Sequence, residues 1–320
     1  MIATGSRQTR RLWMMGANLL AAALFIGCSD DNGSGSSTQT GAPSKSSAES
    51  PATDSNETAK DVNSPTDESA TASNPSNTDT KNATPSESAE PVQAGATGTF
   101  SGTVILDGAA PELADLVKAG DADVKDKEVC GVNGVPDESL VVGEGNGLAN
   151  VFVYLRRAPK GYTSEVPDEP VVLDQEGCVF LPHAALIQTG QQVLVKSNDA
   201  VLHNVHTFPA RNQSTNVPVN AKDREGVELV YTRAESDPLQ VKCDIHTWMS
   251  SYHLVLDHPF MAVTDANGKF SISDLPAGDY EFRIWHETGK LLDKGFQASV
   301  RGDDDAPVEI KYSADRFSQK

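Results

Sequence analysis

The 320-residue chain carries 45 acidic against 26 basic side chains, a formal net charge of −19 with histidine neutral. The acidity persists through residues 98–320, which excludes the basic footprint of a nucleic-acid surface and leaves a basic protein partner or none in particular. Of the four cysteines, three lie beyond residue 28, so pairing two of them in an oxidising compartment leaves one thiol to be explained.

Residues 1–28 join Arg7, Arg10 and Arg11 to the apolar run "LWMMGANLLAAALFIGC". That is the layout of an export signal, too short and one-sided for a membrane span. It resembles a bacterial lipoprotein signal whose Cys28 becomes the lipidated first residue, with Phe25 where Leu is usual. A plain secretory signal and an uncleaved anchor stay open as alternatives, and all three deliver the chain outside the cytoplasm. The expected location is the cell envelope, periplasmic or cell-surface, with membrane contact through the lipid.

Residues 29–97 are Ser, Thr, Asn, Asp, Ala, Pro and Glu with almost nothing apolar, so no core offsets the entropy of ordering them. Eleven acidic and three basic residues in this stretch favour an extended, self-repelling tether.

From residue 98 short alternating runs follow one another: "TFSGTVIL", "ANVFVYL", "VVLDQEGCVFL", "QQVLVKSND", "YHLVLD", "KFSISDLPAGDYEFRIW", "FQASV" and "APVEIKY". Period-2 alternation bounded by Gly, Pro, Asn and Asp predicts strands, and their number and spacing predict an all-β fold built as a β-sandwich. The one helix-compatible stretch, Pro111 to Asp126, is expected as a short helix or a loop insertion. "DANG" at 265–268 fails calcium-loop spacing and is expected as a hairpin turn.

Potential ligands concentrate in "NDAVLHNVHTF" (198–208) and "VKCDIHTWMSSYHLVL" (241–256). A one-electron copper site wants two imidazoles and a thiolate, with a long, weak thioether bond on the axis. His203, Cys243, His246 and Met249 supply that set, one from a strand and three from a single loop.

These segments resemble the cupredoxins, a Greek-key β-sandwich family. Asn198 and Asp199 before "LHNV" place His203 as first ligand, and Cys243 and His246 match the loop ligands of plastocyanin-like members. Met249 follows His246 after only two residues, closer to the binuclear loop of cytochrome oxidase, but the second cysteine of that loop is missing. The resemblance therefore implies a single copper ion. Met249 is the favoured axial ligand; His206, His253 or no strong ligand are the alternatives.

At the two ends, "GTFSGTVILDGAAP … LANVFVYL" and "AVTDANGKFSISDLPAGDYEFRIWHETG" resemble halves of a transthyretin-like, carboxypeptidase-regulatory sandwich, in which Gly268 to Tyr280 is a hairpin-and-turn signature. The implied organisation is 98–169 and 258–320 as the two parts of that sandwich, with 170–257 as a copper module. One continuous larger sandwich remains the rival. Residues 98 to about 290 also resemble exported cupredoxin-like, methylamine-utilisation-like proteins, through blocks such as "LANVFVYL", "LHNVHTF" and "CDIHTWMSSYHLVLDHPFMAVTD".

Each residue also has a plainer reading. Cys243 could be a buried structural thiol, and Met249 a core plug beside Trp248. His206, three residues beyond His203, would face the opposite side of an extended strand. His183 and His286 read as structural hydrogen-bonders beside Pro182 and Trp285, and His258 as part of a turn. Cys130 and Cys178 are expected to form the disulfide of an exported domain, worth about 2–4 kcal/mol through loop closure; a metal on that pair would make a different site.

Haem attachment, phosphate loop, nucleophile elbow and zinc-helix motifs are absent. The extra His pairs of a trinuclear oxygen site are also missing, so the expectation is a one-electron carrier or binding protein with an unidentified redox protein as partner, rather than an enzyme. A copper-handling or zinc-stabilised module and an adhesive or carbohydrate-binding sandwich are the alternatives.

Overall fold

The computed structural model describes residues 95–302 and 305–318; the export signal, Cys28 and the tether up to residue 94 lie outside the described residues. In chain order the strands are β1 (Thr97–Asp107), β2 (Phe152–Leu155), β3 (Val171–Glu176), β4 (Val179–Leu181), β5 (Ala184–Gln188), β6 (Gln192–Val195), β7 (His203–Phe208) and β8 (Asn216–Val219). They continue as β9 (Val227–Val230), β10 (Leu239–Lys242), β11 (Ser250–Leu256), β12 (Met261–Val263), β13 (Lys269–Pro276), β14 (Gly278–His286), β15 (Lys290–Val300) and β16 (Val308–Ser313). Among the described residues the one α-helical turn is α1 (Lys127–Cys130), so the fold is all-β.

Four sheets form. In the first, β1 lies between antiparallel β13 and parallel β16. The second runs β12-β2-β14-β15, antiparallel throughout. They enclose a core that includes Phe100, Val104, Val153, Phe282, Ile284 and Ile310. The third sheet, β5-β11-β10-β7-β8, and the fourth, β4-β3-β6-β9, share a second core with Leu173, Val195, Val205, Val241 and Val255.

Because side chains alternate across a strand, β2 can serve two cores. Val153 and Leu155 enter the first, while Phe152 and Tyr154 turn the other way and pack with Tyr252, Leu254 and Leu256 of β11 and with Trp285 of β14. The second and third sheets are thus back to back, which is why "VFVYL" and "YHLVL" read as almost unbroken apolar runs.

Of the two forms expected for the stretch from Pro111 to Asp126, a short helix or a loop insertion, the structure shows the second: irregular chain with Gly120 at φ 77, a single helical turn beginning only at Lys127. The excursion also leaves the first sandwich, since Val129 and Cys130 pack into the second core. The hairpin expectations are corrected: "DANG" does make a tight turn, Gly268 N donating to Asp265 O and Asp265 N to Lys269 O (both 2.9 Å), but neither it nor Gly268 to Tyr280 joins paired strands, because β12 and β14 belong to the second sheet and β13 to the first. Both links cross between sheets, and the Tyr280 hydroxyl donates to Pro276 O at the second crossing.

The first crossing explains one glycine. Gly147 has φ −63°, open to any residue, but a Cβ there would lie 1.9 Å from Asn267 O. Gly147→Ala is therefore expected to destabilise the protein by about 1–3 kcal/mol through overpacking, read as a lower urea midpoint at unchanged slope.

Candidate metal centre

His203 opens β7, and the loop Cys243–Met249 follows β10, which pairs antiparallel with β7. The strand pairing thereby brings a residue forty positions upstream beside the loop. That loop is closed by its own backbone: Met249 N donates to His246 O (2.9 Å) and Cys243 N to Met249 O (3.3 Å). Asn204, the residue after His203, pins it from the neighbouring strand, its Oδ1 accepting from Asp244 N (2.7 Å) and Ile245 N (3.4 Å).

His203, Cys243 and His246 are buried, and one donor atom from each lies within 4.8 Å of the others. The two Nδ1 atoms stand 2.9 Å apart, with Cys243 Sγ 3.9 Å from that of His246. Each outer nitrogen meets a carboxylate: His203 Nε2 to Asp199 Oδ2 at 2.9 Å, and His246 Nε2 to Asp126 Oδ2 at 3.0 Å. An ionised carboxylate only accepts, so in the neutral rings the protons reside on Nε2 and both Nδ1 atoms present lone pairs to each other beside a sulfur. That arrangement is repulsive without a proton or a metal ion among the three donors.

The electrostatics agree. Burial pushes the Cys243 thiol up, but hydrogen bonding with His203 and His246 and to the backbone outweighs it and brings the thiol down to about 6. Burial alone would lower His203, yet Asp199 and Cys243 raise it to about 9. Asp199, although burial works against its charge, is held below the usual carboxylate range by His203 and by the Cys178 and Gly177 amides. Those amides, 2.9 and 2.7 Å from its two oxygens, belong to the two-residue turn between β3 and β4, in which both central residues have positive φ, the geometry that suits a tight hairpin.

Two imidazole nitrogens and a thiolate suit copper in either oxidation state and also accept tetrahedral zinc. Carboxylates on the outer nitrogens are what orient metal-binding histidines, so the residues present fit a metal ion. A second group, Cys178, Asp199 and His203, does not, because Cys178 is bonded to Cys130 and offers no thiolate.

Met249 is 1% exposed and shares the second core with Cys243. His206 lies on the outer face of β7, where its ring meets Asp244 (3.1 Å). His253 is in the core, with Tyr231 Oη 3.0 Å from its Nδ1. His183 is paired with Glu287 and lies 3.8 Å from Glu138. His286 and His258 each accept a nearby backbone N–H.

In the sequence Asp199 stands out only as part of a strand-end pattern, and neither Asp126 nor Asn204 stands out. Asp199 had a signal, an acid four residues before the histidine. Asp126 had none, being 120 residues from His246 in an acid-rich stretch.

No protein-family model matches the sequence, and no curated protein is similar to it. Among solved structures, a purple cupredoxin from Nitrosopumilus maritimus is similar at 19% identity over 28% of this chain and 99% of that one, TM-score 0.23. A reduced amicyanin variant is similar at 22% identity over 28% of this chain and 86% of that one, TM-score 0.24. A copper-containing nitrite reductase from Thermus scotoductus SA-01 is similar at 17% identity over 31% of this chain and 25% of that one, TM-score 0.25.

Proposed function

We propose that this chain binds one copper ion, which His203, Cys243 and His246 would hold with the Met249 thioether as a further weak donor, and serves as a one-electron carrier. The reading rests on one observation: two imidazoles, each held by a carboxylate at its outer nitrogen, turn their Nδ1 atoms toward each other and toward a buried thiol. Copper, cycling between Cu(I) and Cu(II), would supply the electron transfer. The chain's own contribution is to hold the donors fixed on paired strands, to keep water out by burial, and to keep Cys243 ready as thiolate. In the cell we place the module outside the cytoplasm, lipid-anchored at Cys28 and held off the membrane by the acidic tether, where it would exchange electrons with a redox protein.

The test is a titration of metal-free protein with Cu(II). One equivalent is expected to produce intense visible thiolate-to-copper absorption and a reversible one-electron wave. Binding without a reversible wave would favour a metal-storing or zinc-stabilised module, and no binding would defeat the reading.

A further inference from the structure

We infer that the Cys130–Cys178 disulfide is part of the outer frame of the metal centre, tying together the two carboxylates that orient its histidines. The inference rests on the trio His203, Cys243 and His246 as the ligand set, but not on which metal they take.

Cys178 has three handles: two are directed to groups that touch an imidazole, and the third reaches such a group through Cys130. Its N–H donates to Asp199 Oδ2 (2.9 Å), the oxygen that meets His203 Nε2. Its carbonyl accepts from Trp248 Nε1 (3.1 Å), whose ring packs against that of His246 with centroids 5.3 Å apart. Its sulfur is bonded to Cys130, which closes one helical turn back to Asp126 through Cys130 N to Asp126 O (2.9 Å). Asp126 in turn meets His246 Nε2.

The Asp126 end needs such a restraint. It lies on an irregular excursion between β1 and β2, at φ 52, its side chain 31% exposed, with only a four-residue turn behind it. A part-exposed carboxylate on irregular chain gains little from one hydrogen bond to a histidine; a covalent link four residues away removes most of its alternatives. Asp199 is better supported, since Gly177 N also donates to it (2.7 Å). Cleaving the disulfide should therefore loosen His246 more than His203. Asp126 and Asp199 are positioning residues in this account, and the disulfide is the brace between them.

The experiment measures Co(II) affinity by chelator competition, the energy of the thiolate-to-cobalt absorption, and the ring tautomers of His246 and His203 by nitrogen-labelled histidine NMR of metal-free protein. Full-length wild type is compared with Asp126→Ala, the pair Cys130→Ala/Cys178→Ala, and all three changes together. Asp126→Ala, which leaves no acceptor for His246 Nε2–H, is expected to weaken Co(II) binding about 10–100-fold, the range for outer partners of metal ligands, to shift the absorption, and to lose the Nε2–H tautomer of His246 alone. The cysteine pair should do the same, and the triple variant should lose less than the product of the two effects, because both act through one carboxylate.

A folded cysteine-pair variant with wild-type affinity, absorption and tautomers would overturn the inference. If that variant does not fold, Asp126→Ala decides, because it leaves the disulfide intact: unchanged affinity and tautomer defeat the proposal. Failure of wild type to take up Co(II) defeats the ligand assignment itself, a distinct result.

Discussion

Cys243→Ser is expected to abolish the visible absorption of the copper-loaded protein while leaving the fold in place. Cys243 is the one free cysteine among the described residues, and its thiol is already drawn down to about 6 despite burial. A serine hydroxyl does not ionise in any accessible range and offers no soft donor, so two imidazoles remain. The loss of Cu(II) affinity should exceed the 10–100-fold range of outer-partner changes. The fold should tolerate the change, because Cys243 Sγ has as neighbours Asn204 Oδ1 (3.3 Å) and His246 N (3.4 Å), and a hydroxyl can both donate and accept there, at a cost of about 1 kcal/mol. Titration by absorption and thermal melting of metal-free protein separate the two outcomes. Colour that survives in Cys243→Ser would remove the sulfur from the centre and with it the copper reading.

The largest expected effect on stability is at acid pH, through His253. Its ring is fully buried, Nδ1 faces Tyr231 Oη (3.0 Å), Nε2 has no partner among the described residues, and burial lowers its pKa to about 3. In the unfolded chain an imidazole titrates near 6.5. The folded value is the lower one, so the unfolded state takes up the proton first: the contribution is fully present above about pH 6.5 and is lost as pH falls toward 3, by about 1.4 kcal/mol per unit in between.

His286 acts in the same sense over a narrower window. Burial first, then the charges of His183 and Lys290, lower it to about 4. His253→Leu removes the larger of the two penalties. Near neutral pH the variant should be less stable by about 1–3 kcal/mol, because Tyr231 loses its acceptor. Toward about pH 4.5 the difference should narrow and reverse, because only wild type still has that imidazole to protonate. Urea midpoints across this range check it; parallel curves for the two proteins would show that His253 does not set the acid limit.

The division between what was legible and what was not follows from range. Strand identity came from period-2 patterning, which is local, and even the doubly buried β2 and β11 announced themselves as nearly unbroken apolar runs. The sheet to which each strand belongs was not local. Lys269–Pro276 and Gly278–His286 look like the arms of one hairpin, yet they pair in different sheets, since a short link permits either a reversal or a crossing and the choice depends on which face finds a core.

The same holds at the candidate metal centre. By itself the chain's order of residues determined the all-β class and the loop chemistry: a thiol and an imidazole three residues apart can converge within a single turn. It also carried His203, because "LHNV" is a contiguous pattern. Tertiary structure alone decided the rest. It set Asp126 against a ring 120 residues away and gave Asp199 two amide donors from a neighbouring hairpin, whereas the Cys130–Cys178 bond was already expected from the cysteine count. The physical reason is that spacing along the chain constrains only groups that share a turn or a strand, whereas partners on different strands and loops meet where sheet pairing and core packing deliver them.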